Sequence, residues 1–179
     1  IIVSSSLISQ EQLFVGTRPL GMGGAFIAVA DDGNTITWNP AGLPRLRRKE
    51  FTSSYADLYA MDISHSYAGI VWPFGDRVAI GFDWSSIGFD DQELNYSDNK
   101  LNFSLGYQPF KIFSIGGTFK YISRDMGLDG TSYGKSTGIG YDLGLLLSPH
   151  KKLRFGLGVY DLGGTNVTYK QNKVDEQLL

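Results

Sequence analysis

From about residue 50 onward, large apolar residues alternate with small or polar ones. Such alternation predicts β-strands with one apolar face, because successive side chains of a strand point to opposite sides of a sheet. Two segments with weaker alternation and five with clear alternation give about seven strands. The length of each strand is close to the roughly nine to eleven residues that a tilted strand needs to cross a bilayer. The predicted strands are 51–59, 63–72, 78–85, 101–108, 113–121, 138–147 and 153–160.

The face opposite the large residues indicates the environment of the sheet. In a soluble sandwich or barrel that face meets bulk water and is rich in charged residues. Here it is mostly Gly, Ser, Ala, Thr and Asn, with only a few charges, such as Asp83, Lys120, Asp142 and Arg154. Small residues on one face and bulky aromatic ones on the other favour a barrel whose exterior meets lipid. Alternation alone leaves a soluble β domain as the alternative.

The connections between the predicted strands differ in length. Short turns at 73–76, 109–111 and 148–152 recur about every 36 to 40 residues, whereas the predicted connections 86–100 and 124–136 are long and polar. This asymmetry is typical of the periplasmic and extracellular ends of an outer-membrane barrel. Basic residues collect at the short-turn end, where they either meet phospholipid headgroups or simply make the turns polar. They are Arg45, Arg47, Arg48, Lys49, Arg77, Lys111, Lys151 and Lys152.

Composition narrows the class of protein further. None of the 179 residues is cysteine, which excludes disulfides and thiolate metal sites. The net charge of −2 gives no reason to expect a nucleic-acid partner. Mean hydropathy is −0.12, and no run of about eighteen apolar residues predicts a transmembrane helix. Residues 1–16 begin with an apolar, serine-rich stretch, which is either an N-terminal arm or the remnant of a secretory signal.

The predicted strand count is odd, although bacterial single-chain barrels have even numbers. A sheet of seven strands also has two edges, and an open edge is not tolerated in a bilayer. Either an eighth strand lies in the weakly patterned tail, or the sequence is a fragment of a longer barrel. We favour the fragment, with residues 45–179 forming strands that are truncated at the C-terminus.

A glycine-rich segment precedes the strands. In residues 17–44, the glycines Gly21, Gly23 and Gly24 permit tight or left-handed backbone. Asp31–Asn34 predicts a turn, and Asn39–Gly42 predicts a second turn in which proline fixes the local φ.

No catalytic or cofactor motif emerges from the chain. Residues 21–24 lack the third-glycine spacing, following strand and crossover helix of a dinucleotide site, and no Gly-Lys-Ser/Thr follows for a phosphate loop. Residues 31–34 lack the spacing and distal Glu of a calcium loop. His65 and His150 are far apart with no partner ligands, and the sequon at 166–168 carries no prediction in a bacterial protein. The sequence therefore predicts no enzyme, no metal site and no cofactor.

The segment closely resembles a known signature. The run LGMGGAFIAVADD, followed by WNPAGL, is similar over about 27 residues to the plug, or hatch, of the FadL superfamily of outer-membrane barrels. That superfamily includes fatty acid and aromatic hydrocarbon transporters and the PorV and PorQ proteins of type IX secretion. The tryptophan before NPA, the compact hairpin at 57–62 and the run GIGYDLGLL are more similar to the PorV/PorQ branch.

The resemblance implies an antiparallel transmembrane β-barrel of fourteen strands in the bacterial outer membrane, with residues 17–44 as a plug in its lumen. It implies passive passage of hydrophobic small molecules, or alternatively a docking barrel of type IX secretion. The expected partners are membrane lipid, then hydrophobic molecules or detergent in the lumen, or a secretion translocon or its cargo. By the family pattern, a set of residues shapes the plug without performing chemistry: Gly21, Gly23, Gly24, Asp31, Asp32, Trp38, Asn39 and Pro40.

Overall fold

The computed structural model describes residues 15–58, 63–90, 94–128, 131–162 and 168–170. The fold is all-β, with three short helices ahead of an antiparallel sheet that curls into about half of a barrel. The helices are α1 (Thr17–Gly21), α2 (Thr35–Trp38) and a 3₁₀ helix (Pro40–Arg45). The strands are β1 (Glu50–Leu58), β2 (Ile63–Phe74), β3 (Val78–Asp90), β4 (Leu94–Phe110), β5 (Phe113–Leu128), β6 (Thr131–His150), β7 (Leu153–Val159) and β8 (Thr168–Lys170).

The sheet confirms the seven predicted strands and their order. Each strand pairs with the next along the chain, from β1 to β7, in a continuous antiparallel ladder. The three short turns also lie where the sequence predicted them, after Phe74, Phe110 and His150. Gly75 allows the first of these turns because its φ of 69° is in the left-handed region.

The prediction of long loops at 86–100 and 124–136 was wrong. The strands continue through most of both segments, so that Ser86 pairs with Asn99 and Arg124 pairs with Ser136. Polar side chains do not prevent this, because the ladder is made by hydrogen bonds between backbone groups. Two of the hairpins are therefore tall: β4 has 17 residues and β6 has 20.

Strand β8 lies in line with β7. The partners of β7 on β6 run from His150 back to Leu143, and those of β8 run from Thr137 to Lys135. Between them, the amide of Leu162 donates to the carbonyl of Tyr141 at 2.8 Å. In the described part of the chain, β8 thus extends β7 along the same edge of β6 and is not a further strand beside it.

The two faces of the sheet differ as the alternation predicted. The convex face is apolar and exposed, with large side chains such as Phe103, Tyr141 and Leu157 that are between 50% and 57% exposed. The concave face carries small and polar residues, including Ser104, Thr118 and several glycines. Among the described residues, no helix is long and apolar enough to cross a membrane.

Residues 15–46, which we call the N-terminal segment, pack against the concave face. Two apolar clusters attach the segment to the sheet. One contains Phe26, Ala30, Trp38 and Ala41 with Leu146 of β6. The other joins Ile36, Leu43 and Leu46 to Val71 of β2 and Ala79 of β3. The segment therefore lies over the half of the concave face that is nearer the short turns.

Candidate functional site

The 3₁₀ helix rests on a row of glycines at the concave face. Gly106, Gly116 and Gly144 lie directly opposite one another on β4, β5 and β6. A Cβ on Gly116 would come within 2.3 Å of the backbone carbon of Pro40, and one on Gly144 within 2.1 Å of the Asn39 side chain. Any larger residue in this row would displace the helix, so the glycines allow backbone-to-backbone approach between segment and sheet.

Asn39 fixes the start of the 3₁₀ helix. Its side-chain oxygen accepts from the Ala41 amide at 3.1 Å, while its nitrogen donates to the carbonyls of Ile27 at 2.8 Å and Leu145 at 3.2 Å. Asn39 is fully buried, so all three bonds form away from water. Pro40 follows at the first helical position, where its missing amide hydrogen costs nothing. This one side chain therefore joins the segment to itself and to β6.

Trp38 connects the start of the segment to the end of the sheet beyond β7. Its indole nitrogen donates to the Val15 carbonyl at 3.0 Å, and its ring packs edge-on against Phe26 at 6.3 Å. Its own carbonyl accepts from the Tyr160 hydroxyl at 2.6 Å, just beyond β7. A Cβ on Gly24 would lie 3.6 Å from the ring, which is an ordinary contact.

Asp31 and Asp32 are held by arginines. One nitrogen of Arg18 donates to both carboxylates at 2.7 Å, and these bonds raise the pKa of the Arg18 guanidinium. Asp32 also accepts from the amide and side chain of Asn34 at 2.9 Å, which closes the predicted turn. Arg154 on β7 reaches Asp31 at 3.5 Å and the Val29 carbonyl at 3.2 Å. The pair of carboxylates thus ties α1, the turn and β7 together.

The structure brings some of the predicted residues together and leaves others apart. Trp38, Asn39 and Pro40 lie at the contact with the sheet, and Gly24 lies against the ring of Trp38. Gly23 and Gly24 have positive φ values of 63° and 78°, whereas Gly21 ends α1 without one. A Cβ on Gly21 or Gly23 would meet no atom within 4 Å. Steric contact therefore does not require glycine at these two positions.

Arg45 is an interior cation at the end of the 3₁₀ helix. It donates to the hydroxyls of Ser148 at 2.7 Å and Ser114 at 3.3 Å. In the part of the chain described, no carboxylate pairs with it, and burial together with the charge of Arg154 lowers the pKa of its guanidinium. The two serines satisfy part of its hydrogen-bonding capacity and fix the helix end near the turns after β4 and β6.

A buried polar cluster lies beside α2. Asp83 of β3 is fully buried and accepts from Thr37 at 3.1 Å and from Asn102 at 2.8 Å. Next to it, the hydroxyls of Ser104 and Thr118 are 2.7 Å apart across β4 and β5. These groups satisfy one another where the segment meets the sheet, so the contact is polar as well as apolar.

Two ion-pair clusters continue along the concave face away from the short turns. Lys120 of β5 lies 2.9 Å from Asp142 of β6 and also bonds Asp161, which follows β7. Further along, Asp98 lies 3.1 Å from Arg124 and 3.8 Å from Lys100. All the side chains of these pairs except those of Asp161 and Arg124 are less than 10% exposed. Each charge in these two clusters therefore has an opposite charge at ion-pair distance.

The arrangement is suited to closing a space. Within the described ranges, no group of three or more His, Cys, Asp or Glu residues is placed to hold a metal ion. His65 is buried on β2, and His150 lies exposed at the end of β6. The close contacts instead join backbone to backbone and pair charges with one another.

Sequence reasoning missed most of the partners of the segment. Arg18 and Tyr160 were not singled out, Arg45 was named only as one of the basic residues at the short-turn end, and the glycines of the sheet were interpreted only as a small inner face. One signal was present: Asp83, Lys120, Asp142 and Arg154 interrupt a face of otherwise small residues, and all four prove to be bonded there. A charge on a face that does not meet bulk water requires a partner, so these positions marked the contacts.

The comparisons with known proteins identify a solved structure with a similar fold. No family model matches the chain, and no curated protein matches it. Among solved structures, the chain is similar to the CymD monoaromatic hydrocarbon channel, with a TM-score of 0.62 and 17% identity. The match covers 88% of this chain and 60% of that one. The chain thus has the fold of part of that channel and spans about three fifths of its length.

Proposed function

We propose that the chain forms part of the wall, and the stopper, of a FadL-type channel in the bacterial outer membrane. The channel would pass hydrophobic small molecules. The observation that carries the proposal is the N-terminal segment, which packs backbone-to-backbone on the concave face of a sheet with an apolar convex face. The similarity of the fold to a monoaromatic hydrocarbon channel supports the same function. We assign residues 17–44 as the plug and residues 45–179 as wall.

The height of the apolar band supports a position in a bilayer. On β6 the outward apolar side chains run from Ile139 to Leu147, which is about 26 Å along a strand at about 3.3 Å per residue. Because strands tilt by about 40°, the height of this apolar stretch along the membrane normal is about 20 Å. That height is close to the apolar band of outer-membrane barrels, which is about 25 Å tall. The polar remainder of β6 then projects beyond the membrane.

Within this proposal the eight plug residues have structural roles. Asn39 and Pro40 seat the plug on the glycine row, and Trp38 bonds Val15 ahead of the plug and Tyr160 beyond β7. Asp31 and Asp32 hold α1 and β7 through arginines. Gly23 and Gly24 turn the chain between α1 and Phe26, and Gly21 ends α1.

Uptake by whole cells tests the proposed function. The whole protein is expressed in the outer membrane of cells that lack similar channels, and entry of radiolabelled toluene is compared with hydrolysis of nitrocefin, a hydrophilic solute. Faster entry of toluene alone, relative to cells with an empty vector, is the expected result. Equal acceleration of both solutes would indicate an open aqueous pore, and no acceleration of either would refute the channel.

A docking barrel of a type IX secretion system is the second candidate. Its support is the resemblance of residues 138–146 to the PorV/PorQ branch, together with the tall hairpins of β3–β4 and β5–β6, which offer polar surface beyond the apolar band. Co-purification with a translocon or secreted cargo, lost when the hairpin tips are shortened, would favour it. A barrel that purifies alone and passes toluene would exclude it.

A further inference from the structure

The end of the sheet with the short turns is rich in exposed cations. These are Arg47, Arg48, Lys49, Arg77, Lys111, Lys151 and Lys152. Asp76 lies 2.7 Å from Arg47, and Glu50 lies 3.5 Å from Arg48, so each of these carboxylates neutralises one arginine. The other five cations have no carboxylate at ion-pair distance among the described residues. This end is therefore net positive.

The cations border the apolar convex face. The ammonium of Lys49 lies 3.4 Å from the ring centroid of Trp72, whose side chain faces outward on β2 and is 41% exposed. Phe74 and Phe110, at the ends of their strands, are 54% and 68% exposed. Aromatic rings and long cationic side chains collect where hydrocarbon gives way to headgroups, because each has an apolar body and a polar end.

We propose that the short-turn end binds the headgroups of anionic phospholipids, with Lys49 above Trp72 as the principal contact. The inference rests on the proposed position of the sheet in a membrane. A headgroup with a net negative charge gains an attraction there that a zwitterionic one does not. The described residues of the opposite end, where Asp57 is exposed and Asp125 is half-buried, include no comparable cluster of exposed cations.

Quenching by brominated lipids measures this preference. The chain has three tryptophans, of which Trp38 is only 5% exposed. The purified protein therefore carries Trp84→Phe, which leaves Trp72 as the exposed tryptophan of this chain. It is reconstituted with brominated phosphatidylglycerol or brominated phosphatidylcholine, and the ratio of quenching gives the relative binding of the two lipids. One cation beside a bound headgroup predicts a preference of about fivefold for the anionic lipid, weaker at high salt.

Variants identify the responsible residue. Lys49→Gln should reduce the preference to below about twofold, whereas Lys49→Arg retains the positive charge and should keep the preference. The variants can be compared because each ratio of quenching is measured within one variant. Lys135→Gln removes an exposed lysine at the opposite end and should leave the preference unchanged.

The outcomes separate the inference from the function on which it rests. Equal quenching by the two lipids would overturn the inference and leave the membrane position intact. No quenching by either lipid would refute the proposed membrane position and the inference with it. A preference that survives Lys49→Gln would overturn the assignment to Lys49.

Discussion

Replacing Gly116 with alanine should loosen the N-terminal segment from the sheet. The new Cβ would lie 2.3 Å from the backbone carbon of Pro40 and 2.5 Å from the amide nitrogen of Ala41. Neither atom belongs to a flexible side chain, so the 3₁₀ helix must move by about 1 Å to reach ordinary contact. Such overpacking costs about 1–3 kcal/mol. The shift also weakens the 3.2 Å bond from Asn39 to the Leu145 carbonyl, worth about 1 kcal/mol.

Gly117→Ala is the matched control. Gly117 is the next residue of β5 and faces the convex side, where a Cβ would lie 3.6 Å from Leu143, an ordinary contact. Effects of alanine on the unfolded chain and on strand propensity are similar in both variants. The difference between them therefore reports the contact with the segment.

Cysteine labelling measures the loosening. The chain has no cysteine, and Thr35 of α2 is fully buried with a hydroxyl that has no partner, so Thr35→Cys adds one protected thiol. A loss of about 2–3 kcal/mol raises the maleimide labelling rate of Gly116→Ala about 30- to 150-fold over that of Gly117→Ala. Rates that agree within about threefold, with both barrels folded by gel mobility, would refute the packing argument.

Three further substitutions have defined outcomes. Asn39→Ala removes three buried hydrogen bonds and should cost about 2 kcal/mol of the free energy that holds the segment on the sheet. The same labelling rate should therefore rise roughly 30-fold, and an unchanged rate would mean that Asn39 does not hold the segment. Tyr160→Phe removes the bond to the Trp38 carbonyl and should raise labelling about fivefold, whereas Tyr121→Phe on the convex face should not; equal effects would count against the Tyr160 bond. Phe103→Lys in the apolar band should cost about 2–4 kcal/mol in urea titrations of the protein in lipid vesicles, and Phe110→Lys at the strand end about 0–1 kcal/mol; equal costs would contradict a lipid-facing convex side.

Much of the sheet could be predicted because its signal is local. Strand β7 alternates in residue size from Leu153 to Val159 and ends where that pattern ends. Strand β4 begins at Leu94, seven residues before its alternation is clear at Leu101, because the ladder extends beyond the apolar band. Periodicity therefore locates the band and underestimates the strands.

The contacts of the segment could not be predicted, because they join residues far apart in sequence. Arg154 and Asp31 meet only once β7 has been placed beside β6. The row formed by Gly106, Gly116 and Gly144 likewise depends on the register of three strands, which the sequence does not state. The motif did indicate which residues of the segment to examine, and Asn39 and Trp38 carry several of its bonds.

A reversible lock on the N-terminal segment gives the most direct test of its role as the stopper of a hydrocarbon channel. A Cβ on Gly33 would lie 3.2 Å from that of Thr52 on β1, a few tenths of an ångström short of the about 3.5–4.5 Å of a disulfide, so Gly33→Cys with Thr52→Cys should bond the segment to the sheet after a small shift. Toluene entry into cells is then measured with the pair oxidised and after a reductant is added. Entry should fall to the level of the empty vector in the oxidised protein and recover on reduction. Equal entry in both states would contradict the account.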